Sequence, residues 1–213
     1  MKTVSHQKLG LTFIEVLIVI ATVALLAGLL LPRISRPKVR ANRIYCVMNL
    51  KEIGLAFRIF SYEHEEKPPW RVPRINGGAE LPAAGPDPIS QFLALGTNLS
   101  SPKVLACPVD ERVVKSHTFA GISRNNLSYL ISLEGDENQP QSLLSGDRNI
   151  TGGTNSNGIY YLTPTSQAGW GTNMHHLAGN IGLGDGSAQQ VLAKGLNKQL
   201  QSMTNETIRL LVP

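Results

Sequence analysis

Three groups of side chains in this 213-residue chain are of types that carry chemistry. The first is a lone carboxylate, Glu15, inside the apolar run from Gly10 to Pro32, GLTFIEVLIVIATVALLAGLLLP. A carboxylate in a bilayer core is penalised by roughly 2.5–3.5 kcal/mol even on the lenient insertion scale, so Glu15 calls for a positive partner. The second is His175 with Asp185-Gly186, in HHLAGNIGLGDGSAQQV. On adjacent strands of a hairpin the imidazole would hydrogen-bond the Asp185 carboxylate, and Gly186 would take a turn position of positive φ. The third is the pair Cys46 and Cys107, which fits either a disulfide or two buried small apolar side chains. Catalysis finds less support. GLGDGS lacks the spacing and following helix of a dinucleotide fingerprint, and no G-x-S-x-G, H-E-x-x-H or C-x-x-C occurs. A protein that is not an enzyme is expected.

The elements that must position these groups follow from periodicity. From Leu11 to Leu31 a helix would be roughly 31 Å long, enough for a hydrocarbon core. The run is longer than a secretory h-region and no good A-x-A site follows it, so an ordinary cleaved signal is not expected. Cys46, Leu50, Ile53, Phe57 and Phe60 then project within an arc of roughly 80° at 100° per residue. One long helix from about Thr12 to Glu65 is expected, interrupted or bent near Pro32 and stopped by Pro68-Pro69. Residues 67–88 read as a loop, and Ile89–Leu95 as a short helix. Alternation over Leu127–Leu133 reads as a half-buried strand. Short strands are expected at Ser142–Ser145, Ile159–Leu162, Thr172–His175, Asn180–Gly184 and Ala188–Leu192. A last helix is expected near Asn205–Leu211, with Thr204 as its cap. The domain organisation is 1–10 leader, 11–32 apolar helix, 33–66 amphipathic continuation and 67–213 a β-rich globular domain. The fold class is α+β, a long helix packed on a small antiparallel sheet.

The net charge of +5 is too weak a bias to argue for nucleic acid as a partner. Arg33, Arg36, Lys38, Arg40 and Arg43 cluster after the apolar run, a patch suited to lipid headgroups or acidic side chains. Counting basic residues across the run favours a cytoplasmic C-terminus, whereas the Gly, Asn, Ser and Thr content of the domain suggests export.

K-L-G followed by L-T-F-I-E-V-L-I-V-I-A closely resembles the prepilin signal of type IV pilins and type II secretion pseudopilins. The resemblance implies cleavage between Gly10 and Leu11 by a prepilin peptidase, methylation of the new N-terminus at Leu11, and Glu15 where the family keeps a glutamate. Pro32 falls where many pilins carry a helix-kinking proline, and Leu11 replaces the more usual phenylalanine or methionine. The nine-residue spacing of His175 and Asp185-Gly186 resembles the C-terminal H-X9-DG signature of a large prepilin family. CVMNLKEIGLAFRIFSYEHE (46–65), LACPVD around Cys107 and SGDRN (145–149) resemble it too.

That resemblance implies a pilin-like fold and a structural subunit of a type II secretion or type IV pilus-like filament. The chain would sit in a bacterial inner membrane with its domain in the periplasm. Partners would be the peptidase, other pilin or pseudopilin subunits, the inner-membrane assembly platform and membrane lipid. Physically, cleavage creates an α-amino cation that Glu15 of a neighbouring subunit could neutralise, setting axial register. Major pseudopilins bind calcium in a C-terminal loop, and Asp147 and Asp185 offer hard oxygen ligands for it. No D-x-D-x-D-G loop is present, however, and histidine is a poor calcium ligand. The alternative is a membrane-anchored binding module that never polymerises, with Trp70, Trp170, Tyr160 and Tyr161 as stacking surfaces for a glycan or exported protein.

Overall fold

A computed structural model describes residues 12–82, 85–203 and 205–213, with the side chains of residues 29–40 outside the description. The chain divides into two units, Met1–Ala41 and Asn42–Pro213. Helix α1 (Phe13–Glu63) starts at a local cap, where the Thr12 N–H and Thr12 hydroxyl both donate to Glu15 Oε2 at 2.7 Å. Sequence reasoning missed this: Thr12 and Glu15 hold the T-x-x-E spacing of a capping box. The helix ends where Glu65 and Glu66 turn to φ 57° and 59°, ahead of the two prolines. Its assignment runs unbroken through Pro32, and the kink expected there falls among the side chains outside the description.

Among the described residues, no helix is long and apolar enough to cross a membrane. The stretch with described side chains, Thr12–Gly28, covers roughly 25 Å at 1.5 Å per residue, short of a hydrocarbon core of about 30 Å. The expected span over 11–32 reaches beyond it at both ends. Gly10 and Leu11, the expected cleavage pair, lie outside the described residues.

In the second unit, a seven-stranded sheet has the order β4-β5-β9-β1-β2-β7-β8, and every neighbouring pair is antiparallel. The strands are β1 (Tyr129–Ser132), β2 (Leu143–Asp147), β4 (Thr154–Ser156), β5 (Ile159–Leu162), β7 (Ala178–Leu183), β8 (Ala188–Leu192) and β9 (Ile208–Leu211). A separate pair joins β3 (Ile150–Thr151) to β6 (Gly169–Trp170). Helix α2 (Pro88–Ala94) lies near the expected position, and α3 (Ala193–Ser202) was not expected.

Each face of the sheet is covered. Cys46, Leu50, Ile53, Phe57 and Phe60 of α1 form one core with Tyr129, Ile131, Leu133, Leu144 and Leu211. Fully burying Leu50, Ile53, Phe57 and Phe60 contributes roughly 1.5–3 kcal/mol each. On the other face Leu130, Leu143, Ile181, Leu183, Ile208 and Leu210 meet Leu196 and Leu200 of α3.

This explains three departures from expectation. β1 is buried along its whole length, not half-buried, because both of its alternating faces meet a helix. Residues 205–211 end in strand β9, not a helix, because Ile208, Leu210 and Leu211 fill the gap between β1 and β5. Thr172–His175 forms turns, not a strand, since that segment leads into β7.

Candidate functional site

The described residues concentrate their polar chemistry in one buried cluster between the early part of α1's packed face and the exit of β2. The SGDRN segment supplies three of its side chains in succession. Asp147, at the end of β2, has no exposed surface. Its Oδ2 accepts hydrogen bonds from the backbone N–H and the side-chain amide of Asn180, both at 2.8 Å. Arg148 donates from Nε and Nη2 to Asp110 at 2.6 and 2.5 Å, and the Ser128 hydroxyl donates to the same carboxylate at 3.0 Å. Asn149 Nδ2 lies within hydrogen-bond reach of the carbonyls of Gly171, Met174 and Ala178, which bracket the turn holding His175.

That turn is unusual. His175, His176 and Leu177 all have positive φ, at 51°, 50° and 61°. Left-handed backbone in L-residues costs roughly 1–2 kcal/mol each and is normally seen one residue at a time. Here it is held by Asn149 from inside and by Arg43 of α1, whose Nη2 reaches the His175 carbonyl at 3.4 Å. Its result is to turn the His175 imidazole inward.

The imidazole meets two partners on one edge. His175 Nε2 is 3.5 Å from Cys107 Sγ and 3.4 Å from Asp147 Oδ2. Cys46 and Cys107 are joined as a disulfide, with an S–S distance of 2.09 Å and Cα atoms 5.3 Å apart. The bond ties α1 to the segment before β1, and Cys107 N–H donates to the Ser128 hydroxyl. Burial, against the opposing pull of the two Asn180 hydrogen bonds, pushes the Asp147 carboxyl up to about 7. Burial, with the positive charge of Arg43 beside it, pushes His175 down to about 4. Neutral imidazole beside protonated carboxyl is therefore the favoured state between about pH 4 and pH 7. His175 Nδ1 and Asp147 Oδ1 are buried without hydrogen-bond partners.

The expected pairing of His175 with Asp185 does not occur. β7 runs between them, so the nine-residue spacing places them at opposite ends of one strand instead of across a hairpin. Asp185 sits in the β7–β8 turn, where its carboxylate accepts from the Ser187 N–H at 2.8 Å; hydrogen bonding from the Ser187 side chain first, and then from this N–H, holds its pKa below the usual range. Gly186 does take the left-handed position, at φ 80°. It also packs on the helix, since a Cβ on Gly54 would come within 3.3 Å of Gly186 Cα. The Asp185 carbonyl accepts from Arg58 at 3.2 Å. Both ends of β7 are thus fastened to α1, by Arg43 at one end and Arg58 at the other.

The same register separates the two calcium candidates. Asp147 lies beside Asn180 and Asp185 follows Leu183, which pairs with Leu143 at the far end of β2. About four residues of strand, roughly 13 Å, lie between them, so they do not share an ion. Trp70 and Trp170 are also not available for stacking on a ligand. Trp70 packs edge-on against Phe57 with ring centroids 5.8 Å apart, and Trp170 covers Gly179. Comparison of the chain with protein-family models, with curated proteins and with solved structures finds no match.

Proposed function

We propose that this chain is a structural filament subunit of the pilin or pseudopilin kind, clipped after Gly10, anchored by its apolar N-terminal helix and assembled through helix-to-helix contact. The supporting observation is on α1 inside the second unit. Ile44, Met48, Leu55, Ile59 and Tyr62 are exposed, and at 100° per residue they fall within roughly 60° of one another, opposite the face that packs on the sheet. A helix that is apolar on its packed side and again on its outer side has a second surface to cover. In the first unit, Phe13, Ile14, Leu17, Ile20 and Leu25 are exposed as well. Such a helix suits lipid before assembly and neighbouring helices after it.

In this reading Glu15 has two tasks. Its Oε2 caps its own helix through Thr12, and its carboxylate meets the α-amino group of an adjacent subunit. The structural role, the absence of catalysis and the periplasmic placement of the domain belong to the same proposal.

Intact-mass measurement of membrane-extracted protein from peptidase-competent cells tests cleavage. A chain beginning at Leu11 supports the reading, and one retaining residues 1–10 sinks it. Met48→Arg with Leu55→Arg tests assembly. Both sites are exposed, so the domain should fold unchanged while filament yield falls at least tenfold. Unchanged yield would remove the outer stripe from the assembly surface.

A further inference from the structure

We propose that the cluster around His175 is a metal site in its oxidised form: once the disulfide is reduced, Cys46 Sγ, Cys107 Sγ, His175 Nε2 and an Asp147 carboxylate oxygen bind one thiophilic cation of the Zn(II) type. Disulfide and metal are then alternative states of one site. This goes beyond the filament reading and does not depend on it.

The geometry holds part of the required shape: Cys46, Cys107 and His175 form a close-set group, and Asp147 joins it through its approach to His175. Ligand atoms of Cys46, Cys107 and His175 all lie within 4.8 Å of one another, and all three residues are buried. In a tetrahedral zinc centre, bonds of about 2.3 Å to sulfur, 2.05 Å to nitrogen and 2.0 Å to oxygen set N···S and N···O edges of about 3.6 and 3.3 Å. His175 Nε2 stands 3.5 Å from Cys107 Sγ and 3.4 Å from Asp147 Oδ2. Two edges therefore match before any metal arrives. The S···S edge does not, because a covalent disulfide is about 2.05 Å and a zinc dithiolate edge about 3.8 Å. Reduction releases that edge by side-chain rotation.

The second shell is also in place. Asn180 holds Asp147 Oδ2 through two hydrogen bonds, and the left-handed turn braced by Asn149 and Arg43 fixes the imidazole. Asp110 is fully engaged by Arg148 and Ser128, so it does not compete as a ligand. A groove of about 370 Å³ is lined by Tyr45, Asn49, Ala106 and Pro108, among them the chain neighbours of both cysteines. Two thiolates and an imidazole select zinc or another soft cation over calcium.

A trialkylphosphine and water convert the disulfide to two thiols and a phosphine oxide. The cation then displaces both thiol protons, and the Asp147 carboxyl proton where it is present, to solvent.

The test uses the full-length chain in detergent, reduced anaerobically by phosphine, with Co(II) as the probe. One equivalent should produce thiolate-to-cobalt charge-transfer bands and the visible bands of tetrahedral cobalt, abolished by Zn(II). The oxidised chain should show neither. Asp147→Asn, which keeps size and the Asn180 contact, and His175→Ala should each weaken Co(II) binding about tenfold or more. Metal should also raise the unfolding midpoint of the reduced wild type, as a ligand of the folded state must. Absence of the bands in the reduced wild type overturns the proposal. So does equal Co(II) affinity in wild type and both variants, which would mean that the two thiols bind metal without the site.

Discussion

Removing the Cys46–Cys107 bond gives a stability loss that can be worked from the chain itself. The linkage closes a loop of 61 residues. In the chain-entropy treatment that loop reduces unfolded-state entropy by about 14 cal/mol/K, or about 4 kcal/mol at 25 °C. For a chain of this size each kcal/mol moves the melting midpoint by roughly 2–4 °C, so the expected fall is roughly 8–16 °C. Urea unfolding of the oxidised chain, the phosphine-reduced chain and Cys46→Ala/Cys107→Ala, all with a chelator present, separates the contributions. Reduction keeps both sulfurs and isolates the tether, while the double alanine variant adds a small packing loss at two buried sites. The reduced and variant chains should also show a steeper urea dependence, because an untethered unfolded chain exposes more surface. A loss below about 1 kcal/mol on reduction would refute the loop argument.

Three other outcomes follow from the polar cluster and the sheet. Asp110→Asn leaves Arg148 nearly buried and without its counter-charge, so it should cost about 3–5 kcal/mol in thermal or urea unfolding, and Arg148→Met in the same chain should recover part of it. Gly179→Ala places a Cβ 2.4 Å from the Trp170 ring; the ring must move, giving a red-shifted tryptophan emission and a loss of about 1–3 kcal/mol. The third concerns pH, with the disulfide intact. Asp147, raised to about 7, stabilises fully below its ordinary 3.8 and loses that contribution as pH rises through 7. His175, lowered to about 4, stabilises above its ordinary 6.5 and loses that contribution as pH falls through 4. The two slopes oppose each other between pH 4 and 6.5, so wild type should be nearly flat there. Asp147→Asn should instead lose roughly 3 kcal/mol on going from pH 6.5 to 4, at 1.36 kcal/mol per pH unit. A flat profile in that variant would refute the assignment.

The sequence made the helical face legible because Cys46, Leu50, Ile53, Phe57 and Phe60 repeat at helical spacing, and all five are core. β2, β5, β7 and β8 fall close to where alternation and turn residues put them. α3 escaped notice because AKGLNKQLQS offers only Leu196 and Leu200 as a buried apolar pair, beside a glycine that weakens helix propensity. β9 looked helical because a four-residue buried strand has no periodicity of its own to distinguish it. At the site, His175 and Asp185 suggested each other because their spacing suits a hairpin. The true partner, Asp147, is brought in by strand pairing of β2 with β7, which spacing does not encode. SGDRN was the available signal, since three adjacent polar side chains on a strand leaving the core each need a buried partner.

The fastening of β7 at both ends has a consequence for where this chain tolerates added length. Between Arg43 and Arg58 lies about 22 Å of helix, and the strand from His175 to Asp185 is fitted to it. One residue inserted into that strand would invert the face of every side chain beyond it and pull one carbonyl off its arginine. Asn157-Gly158, by contrast, joins β4 to β5 with φ of 52° and 79° at the sheet margin, where β4 is exposed throughout. An epitope tag placed there would extend a hairpin without touching the clamp.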